Sequence, residues 1–182
     1  MRVIAGSRRS LKLIAPDGLD TRPTQDRIKE TLFNVIQNEI PGCVFVDLFA
    51  GSGGIGIEAL SRGAKRAYLV DSSKECETCI KKNLKTTRFE EQAVYYKADV
   101  FFAFQNQIRE HVDIVYMDPP YHGGFEERLL NMLYASEHVD SDTLLILEAD
   151  LNTEIDFEGF EIVKNKRYKT NQHYFFRKKD KE

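Results

Sequence analysis

Four apolar, strand-like runs that each carry an aspartate to their C-terminal end constrain this chain more than any other feature. They are CVFVDLF (43–49), AYLVD (67–71), AVYYKAD (93–99) and VDIVYMD (112–118), with Asp47, Asp71, Asp99 and Asp118. A fifth run, TLLILEA (143–149), has none. Helical patterns alternate with them: Ile55 to Ser61 stopped by Gly63, a run opened by Ser72 with Glu75 at capping-box spacing, Phe101 to Arg109, and Phe125 to Ala135. Strands apolar almost throughout and joined by helices make a parallel sheet covered on both faces. In such a sheet the ligand sits beyond the carboxyl ends of the strands. One aspartate there is ordinarily a helix cap. Four on one edge point to a ligand rich in hydroxyl and amino groups.

The two ends of the chain break this rhythm. Residues 2–14 alternate weakly around Gly6-Ser7-Arg8-Arg9, which predicts a β-hairpin with a basic tip. Thr24 then caps a helix carrying Ile28, Leu32, Val35 and Ile36, closed by Pro41-Gly42. At the other end, Phe160 to Tyr168 and His173 to Arg177 read as two strands with no helix between them, an antiparallel hairpin added to the sheet. With no linker composition anywhere, residues 1–182 read as one domain: a hairpin extension over 1–22 and a catalytic core over 23–182.

Charge is polarised along the same lines. Residues 1–30 hold seven Lys/Arg against four Asp/Glu, residues 164–182 eight against two, and residues 31–163 eleven against twenty-three. An acidic body with basic ends suits a protein that grips a polyanion, with Arg8, Arg9 and Lys12 as contacts, and the tail from Arg177 reads as solvated. No apolar run approaches a bilayer span, and three cysteines make no disulfide framework, so a cytoplasmic monomer without membrane contact is expected. Cys76 and Cys79 form a C-x-x-C within a helical pattern and read as packing residues. The histidines have no metal spacing, so no metal is expected, and His122 alone adjoins the site as a substrate contact. The Phe101, Phe102 and Phe104 cluster reads as core rather than as a stacking platform.

Gly51, Gly53 and Gly56 spell G-x-G-x-x-G after the first strand, and Asp71 stands 20 residues beyond Gly51, the spacing of a dinucleotide fingerprint. Glycines let backbone approach a ligand, and the acid accepts from a ribose diol. NAD and S-adenosylmethionine both contain adenosine, so this pair leaves the choice open. Asp118-Pro119-Pro120-Tyr121 decides it. Two prolines remove two N–H donors and leave free carbonyls. An aspartate and a prolyl carbonyl can together hold both hydrogens of an exocyclic amine, and a tyrosine can stack on the ring that bears it.

In these residues the chain resembles the amino-methyltransferases that use S-adenosylmethionine, whose fourth motif is (D/N)-PP-(Y/F). RPTQDRIKETLFN (22–34), DLFAGSGGIGIEALSRGA (47–64) and DPPY together resemble the RsmD-type small-subunit ribosomal RNA guanine-N2 methyltransferases, over nearly the whole chain. The Gly6 to Ser10 stretch is a loose version of that family's opening, and Gly54 replaces a larger small-apolar residue. The resemblance implies a Rossmann-like class I methyltransferase fold, α/β, with a seven-stranded, mostly parallel sheet. It implies that Asp47, Phe49, Gly51 and Gly53 line the cofactor, that Asp71 binds the ribose, and that Asp99 with the Val100 amide binds the adenine. Arg22 and Thr24, with Pro23 between them, would fold over the cofactor carboxylate. Asp118, Pro119, Pro120 and Tyr121 would hold the guanine.

The implied reaction is methyl transfer from S-adenosylmethionine to a guanine N2 of 16S ribosomal RNA, free or in the assembling small subunit. The base must be flipped out or unpaired to reach the pocket. Methylation of adenine N6 in DNA or RNA is the enzyme alternative, and an RNA-binding assembly factor with a vestigial fold the non-enzyme one. An NAD dehydrogenase comes last, because nothing resembles a hydride-transfer site.

Overall fold

The computed structural model describes residues 1–17 and 23–179, with side chains from residue 25 onward in the second segment. Its parallel core alternates β1 (Val44–Leu48), α2 (Gly54–Ser61), β2 (Arg66–Val70), α3 (Lys74–Thr87), β3 (Ala93–Tyr96), α4 (Val100–Asn106), β4 (Ile114–Met117), α5 (Phe125–Ala135) and β5 (Leu144–Asp150), after α1 (Pro23–Val35). Strands β6 (Phe160–Arg167) and β7 (Asn171–Lys178) form the terminal hairpin. The seven strands run β3-β2-β1-β4-β5-β7-β6, with β7 antiparallel to both neighbours and the others parallel. No helix among the described residues is long and apolar enough to cross a membrane.

Successive strand residues face opposite layers, which is why these strands carry so few polar side chains. Phe45, Leu69, Ile114 and Ile146 pack with Phe33 of α1, Ile57 of α2 and Ile80 of α3. Val46, Val70, Val115 and Leu147 pack with Phe104 of α4 and Leu129 and Leu133 of α5. Gly56 lies against the sheet, where a Cβ would come within 2.1 Å of Leu69 Cδ2. It is therefore a packing glycine. Cys43, Cys76 and Cys79 are free, buried thiols.

Several boundaries shift for physical reasons. The cap of α3 is Ser73, whose Oγ accepts from the Glu75 and Cys76 amides, so Ser72 forms no capping box with Glu75. β3 stops at Tyr96, three residues short of Asp99, because Asp99 Oδ1 caps α4 through the Phe101 and Phe102 amides. Phe104 is core as expected, but Phe102 is 55% exposed. The expected N-terminal β-hairpin reduces to one bridge pair, Arg2 with Lys12, around a 3-10 turn at Gly6–Arg8.

That arm is held by α2 rather than by a strand ladder. Glu58 is fully buried and accepts from the Ile4 amide at 2.8 Å, the Ala5 amide at 3.0 Å and Arg62 Nε at 2.8 Å. Lys29 Nζ of α1 stands 3.4 Å from the same carboxylate and donates to the Arg2 carbonyl at 2.6 Å. Gly6, at φ +83°, rests against the Ser61 backbone so closely that a Cβ would meet the Ser61 carbonyl oxygen at 1.8 Å. Gly54 makes room for Met1, whose Sδ would lie 2.5 Å from an added Cβ.

Candidate active site

Register places the proposed residues on one edge. Leu48 of β1 pairs with Val70 of β2 and with Met117 of β4, so Phe49, Asp71 and Asp118 leave three adjacent strands at the same level. The Ala50 amide donates to the Val70 carbonyl and the Asp118 amide to the Leu48 carbonyl, extending the sheet by one rung. Leu147 of β5 pairs with Met117, which sets Glu148 level with Asp118.

The loop after β1 turns through left-handed backbone at Phe49 (φ 63°), Gly51 (φ 58°) and Gly53 (φ 78°). Only glycine adopts this without strain, and Phe49 pays for its place by packing edge-on to Phe125 at 5.5 Å. Asp71 fixes the loop: Oδ2 accepts the Gly51 amide and Oδ1 the Ser73 amide, both at 2.9 Å. Each oxygen keeps a second lone pair for a ligand hydroxyl. A Cβ on Gly51 would find nothing within 4 Å, so the backbone there fronts open space, a cradle matched to a close-lying ligand. Buried Asn83 of α3 donates to the Ser52 and Ile14 carbonyls and accepts the Ile14 amide, tying this loop to the N-terminal arm. Sequence reading passed over it, although a lone amide on the apolar stripe of α3 was its signal.

Asp47 departs from expectation. It lies within β1 rather than beyond it, 1% exposed, and its Oδ2 accepts the Gly56 amide at 3.0 Å. It therefore braces the loop from below. Burial pushes its carboxyl up to about 7, against the Gly56 N–H and with help from the Asp71 charge. The folded protein thus holds this proton more tightly than the unfolded chain, and stability from this group is present below the ordinary carboxylate range and lost as pH rises to about 7. Asp47→Asn is expected to raise the melting temperature at pH 8 and to change it little near pH 4. Equal shifts at both pH values would show that the charge is not what burial opposes.

Asp99 is exposed and spends Oδ1 on its cap at the N-terminal end of α4. Phe101 stacks with Phe125 at 6.3 Å, and the Arg128 guanidinium lies 4.3 Å above Phe101. Phe49, Phe101 and Phe125 thereby join three strand ends into one aromatic wall.

Around Asp118-Pro119-Pro120-Tyr121 the decisive residue is one the sequence did not single out. Glu148 accepts Tyr116 OH at 2.7 Å and Tyr121 OH at 3.4 Å, and takes bonds from Asn171 Nδ2 and His173 Nε2. His173 is fully buried, and its Nδ1 meets Tyr168 OH at 3.1 Å. These partners hold the Glu148 carboxyl below its ordinary value in spite of burial. The opposite holds at Asp118: enclosure by protein, then the charges of Glu148 and Asp47, push its carboxyl up. Asp118 is nevertheless exposed at the surface, and solvent screens part of that push. Tyr121 is 41% exposed.

Arg8 is less free than its charge suggested. Its Nε donates to the Thr87 carbonyl at 2.6 Å and its guanidinium lies over Phe89, so it anchors the turn. Arg9, Lys12 and His122 are exposed, His122 at φ 61° in the loop before α5. Arg22, and the side chain of Thr24, lie outside the described residues. Among those residues no group of three or more His, Cys, Asp or Glu side chains is placed to hold a metal ion.

Known proteins match this arrangement. The family model described as conserved hypothetical protein 95 covers residues 1–177. The ribosomal RNA small subunit methyltransferase D of Haemophilus influenzae is 36% identical over 152 residues, 82% of this chain and 79% of that protein. Its Escherichia coli namesake is 34% identical over 151 residues, 83% and 75%. The solved structure of the candidate methyltransferase yhhF from Escherichia coli superposes with a TM-score of 0.85 at 29% identity, covering 100% of this chain and 99% of that one.

Proposed function

This chain belongs to the conserved hypothetical protein 95 family and has the class I methyltransferase fold, and on that premise we propose that it methylates the exocyclic N2 of a guanine in small-subunit (16S) ribosomal RNA. The observation that carries the chemistry is the placement of Asp118 and the Pro119 carbonyl level with the glycine loop, on the strand next to it. S-adenosylmethionine, when bound, supplies an electrophilic methyl group. The open front of Gly51, the spare lone pairs of Asp71 and the aromatic wall of Phe49, Phe101 and Phe125 fit its methionine, ribose and adenine portions. Asp99 and the Val100 amide would meet the adenine edge, and Arg22 and Thr24 the carboxylate.

The chain's own contribution is chiefly positioning. The amine lone pair of guanine is delocalised into the ring, which makes it a poor nucleophile. Accepting both N–H bonds at Asp118 and Pro119 favours a pyramidal nitrogen and aims its lone pair along one line. Asp118 also offsets the positive charge that develops on that nitrogen and can take its proton. Tyr121 stacks on the ring. Arg9, Lys12 and His122 remain the RNA contacts of this reading, in a cytoplasmic setting, with Arg8 fixing the turn that presents Arg9 and Lys12. The adenine-N6 and assembly-factor readings are not favoured by the relatives.

Incubation with labelled S-adenosylmethionine and small subunits, or their RNA, from cells lacking this protein should yield N2-methylguanosine at one nucleotide. Label appearing as N6-methyladenosine, or not at all on either substrate, would overturn the proposal.

A further inference from the structure

A flipped-out base keeps a phosphate on either side of it, and the N-terminal arm flanks the pocket on one side only. The arm stands by the glycine loop, where Ile14 and Ser52 share Asn83. On the other side of β4 lie β5, β7 and β6. Their edge carries Glu148 and Asp150 beside Asp118, and carboxylates repel phosphate. The second basic segment of the sequence, residues 164–182, begins at this edge.

Its eight cations fall into two groups. Arg167 donates to Gln172 Oε1 at 3.3 Å and to the Leu151 carbonyl at 3.2 Å. Arg177 is engaged by Glu39 at 2.7 Å, and Lys178 by the Val139 carbonyl and the Tyr134 ring. Lys179 follows β7 at the opposite, amino edge, and Lys181 lies outside the described residues. Lys164, Lys166 and Lys169 are different. All three are exposed, and among the described residues none has a carboxylate or carbonyl partner.

Register sets them beside the pocket. Glu148 is level with Asp118, His173 pairs with Glu148, and Lys166 pairs with His173. Asp118 and Lys166 therefore share one rung and one face of the sheet, three strand spacings or about 14 Å apart. Beyond that rung the Tyr168 amide bonds the Asn171 carbonyl, closing a tight turn with Lys169 and Thr170 at its tip. Asn171 and Tyr121 donate to the same Glu148 oxygen, so one carboxylate ties this turn to the DPPY tyrosine. Lys164 stands two residues behind Lys166 on the same face.

Lysines on an edge strand also guard it against pairing with another chain. A guard is needed along the whole edge, yet the first half of β6 leaves Ile162 and Val163 43% and 47% exposed. The cations gather instead at the end nearest the pocket, where the acidic rim is.

We propose that Lys166 and Lys169, with Lys164 behind them, form a second phosphate-binding surface that grips the RNA strand on the β6 side of the target nucleotide. The arm and the β6–β7 turn then hold the strand from opposite sides of the pocket. This inference rests on the RNA-methyltransferase reading and not on which base is modified.

The test measures binding of small subunits, or their RNA, from cells lacking this protein across a series of potassium chloride concentrations. In the double variant Lys166→Gln, Lys169→Gln the slope of log affinity against log salt should become shallower by about 1–2, the loss of two phosphate contacts. KM for RNA should rise by about 10-fold, with kcat and S-adenosylmethionine affinity within about 2-fold of wild type. Glutamine keeps the edge polar, and arginine at both positions should restore the slope. Lys65→Gln with Lys179→Gln removes the same charge at the amino edge and should leave the slope within about 0.5 of wild type. An unchanged slope in the Lys166 and Lys169 variant, an equal change in the control pair, or wild type that binds neither substrate in a salt-dependent way overturns the proposal. Failure of the guanine reading is seen separately, as a methylated nucleoside other than N2-methylguanosine from wild type that binds RNA with the expected slope.

Discussion

Asp118→Ala is expected to lower the single-turnover rate of methyl transfer by about 10³-fold while leaving S-adenosylmethionine affinity within about 3-fold of wild type. The separation follows from register. Asp118 extends β4, whereas the loop and acid assigned to the cofactor extend β1 and β2. Removing the carboxylate leaves the Pro119 carbonyl as sole acceptor for an amine with two hydrogens, so nitrogen geometry is lost and binding of the donor is not. The same group sets a pH limb. Enclosure, Glu148 and Asp47 raise the Asp118 carboxyl above its ordinary range, and its protonated form can neither accept both ways nor take a proton from nitrogen. The rate should therefore fall as pH drops, with a midpoint above the usual carboxylate range, and Asp118→Asn should flatten that limb at a low plateau. A variant with unimpaired turnover, or a cofactor affinity that collapses with the rate, would remove Asp118 from the role given to it.

Glu58→Ala is expected to destabilise the protein by about 3–5 kcal/mol, the cost of breaking a buried ion pair by deleting one partner. At this chain length that corresponds to a melting temperature lower by roughly 6–20 °C. Glu58 is fully buried and is the common partner of Lys29, Arg62 and the Ile4 and Ala5 amides. Without it, Lys29 is a buried ammonium that keeps, among the described residues, its hydrogen bond to the Arg2 carbonyl and the more distant charge of Asp26, and burial already pulls its pKa below the ordinary lysine value. Hydrogen exchange should show the Ile4 and Ala5 amides opening well before the strands of the sheet. Glu58→Gln keeps the shape and one of the two oxygens that accept the Ile4 and Ala5 amides, so it should recover part of the loss. A melting temperature unchanged in Glu58→Ala would mean that the arm is held by its other contacts, among them Gly6 against Ser61, Arg8 against Thr87 and Ile14 against Asn83.

The distance between what was legible and what was not follows chemistry rather than position. Strands β1 to β5 and the antiparallel hairpin were readable because a strand buried on both faces must be apolar throughout, and the β6–β7 segment lacks a crossover helix. The N-terminal arm was misread as a regular hairpin because its order comes from Glu58 and Ser61, more than fifty residues away. Ser73 displaced Ser72 as the cap of α3 because Asp71 holds the Ser73 amide, a bond that local pattern does not encode.

Within the site the same division holds. Asp71, Asp118 and the glycine turn are announced by motif, since their spacing along the chain is itself the chemistry. Asp47 looked identical to them on paper, yet it sits below the edge and braces Gly56. Arg8 looked like a free cation and is an anchor. Glu148, Asn171 and His173 carry no motif, because they meet only when β7 pairs antiparallel with β5 and brings His173 opposite Glu148. The sequence by itself determined the sheet, its carboxyl edge and the tetrapeptide that leaves β4 there, all matters of hydrophobic period and short-range spacing. Only the tertiary structure decided which polar groups are spent on the protein and which are left for a substrate, because hydrogen-bond satisfaction is a property of neighbours in space.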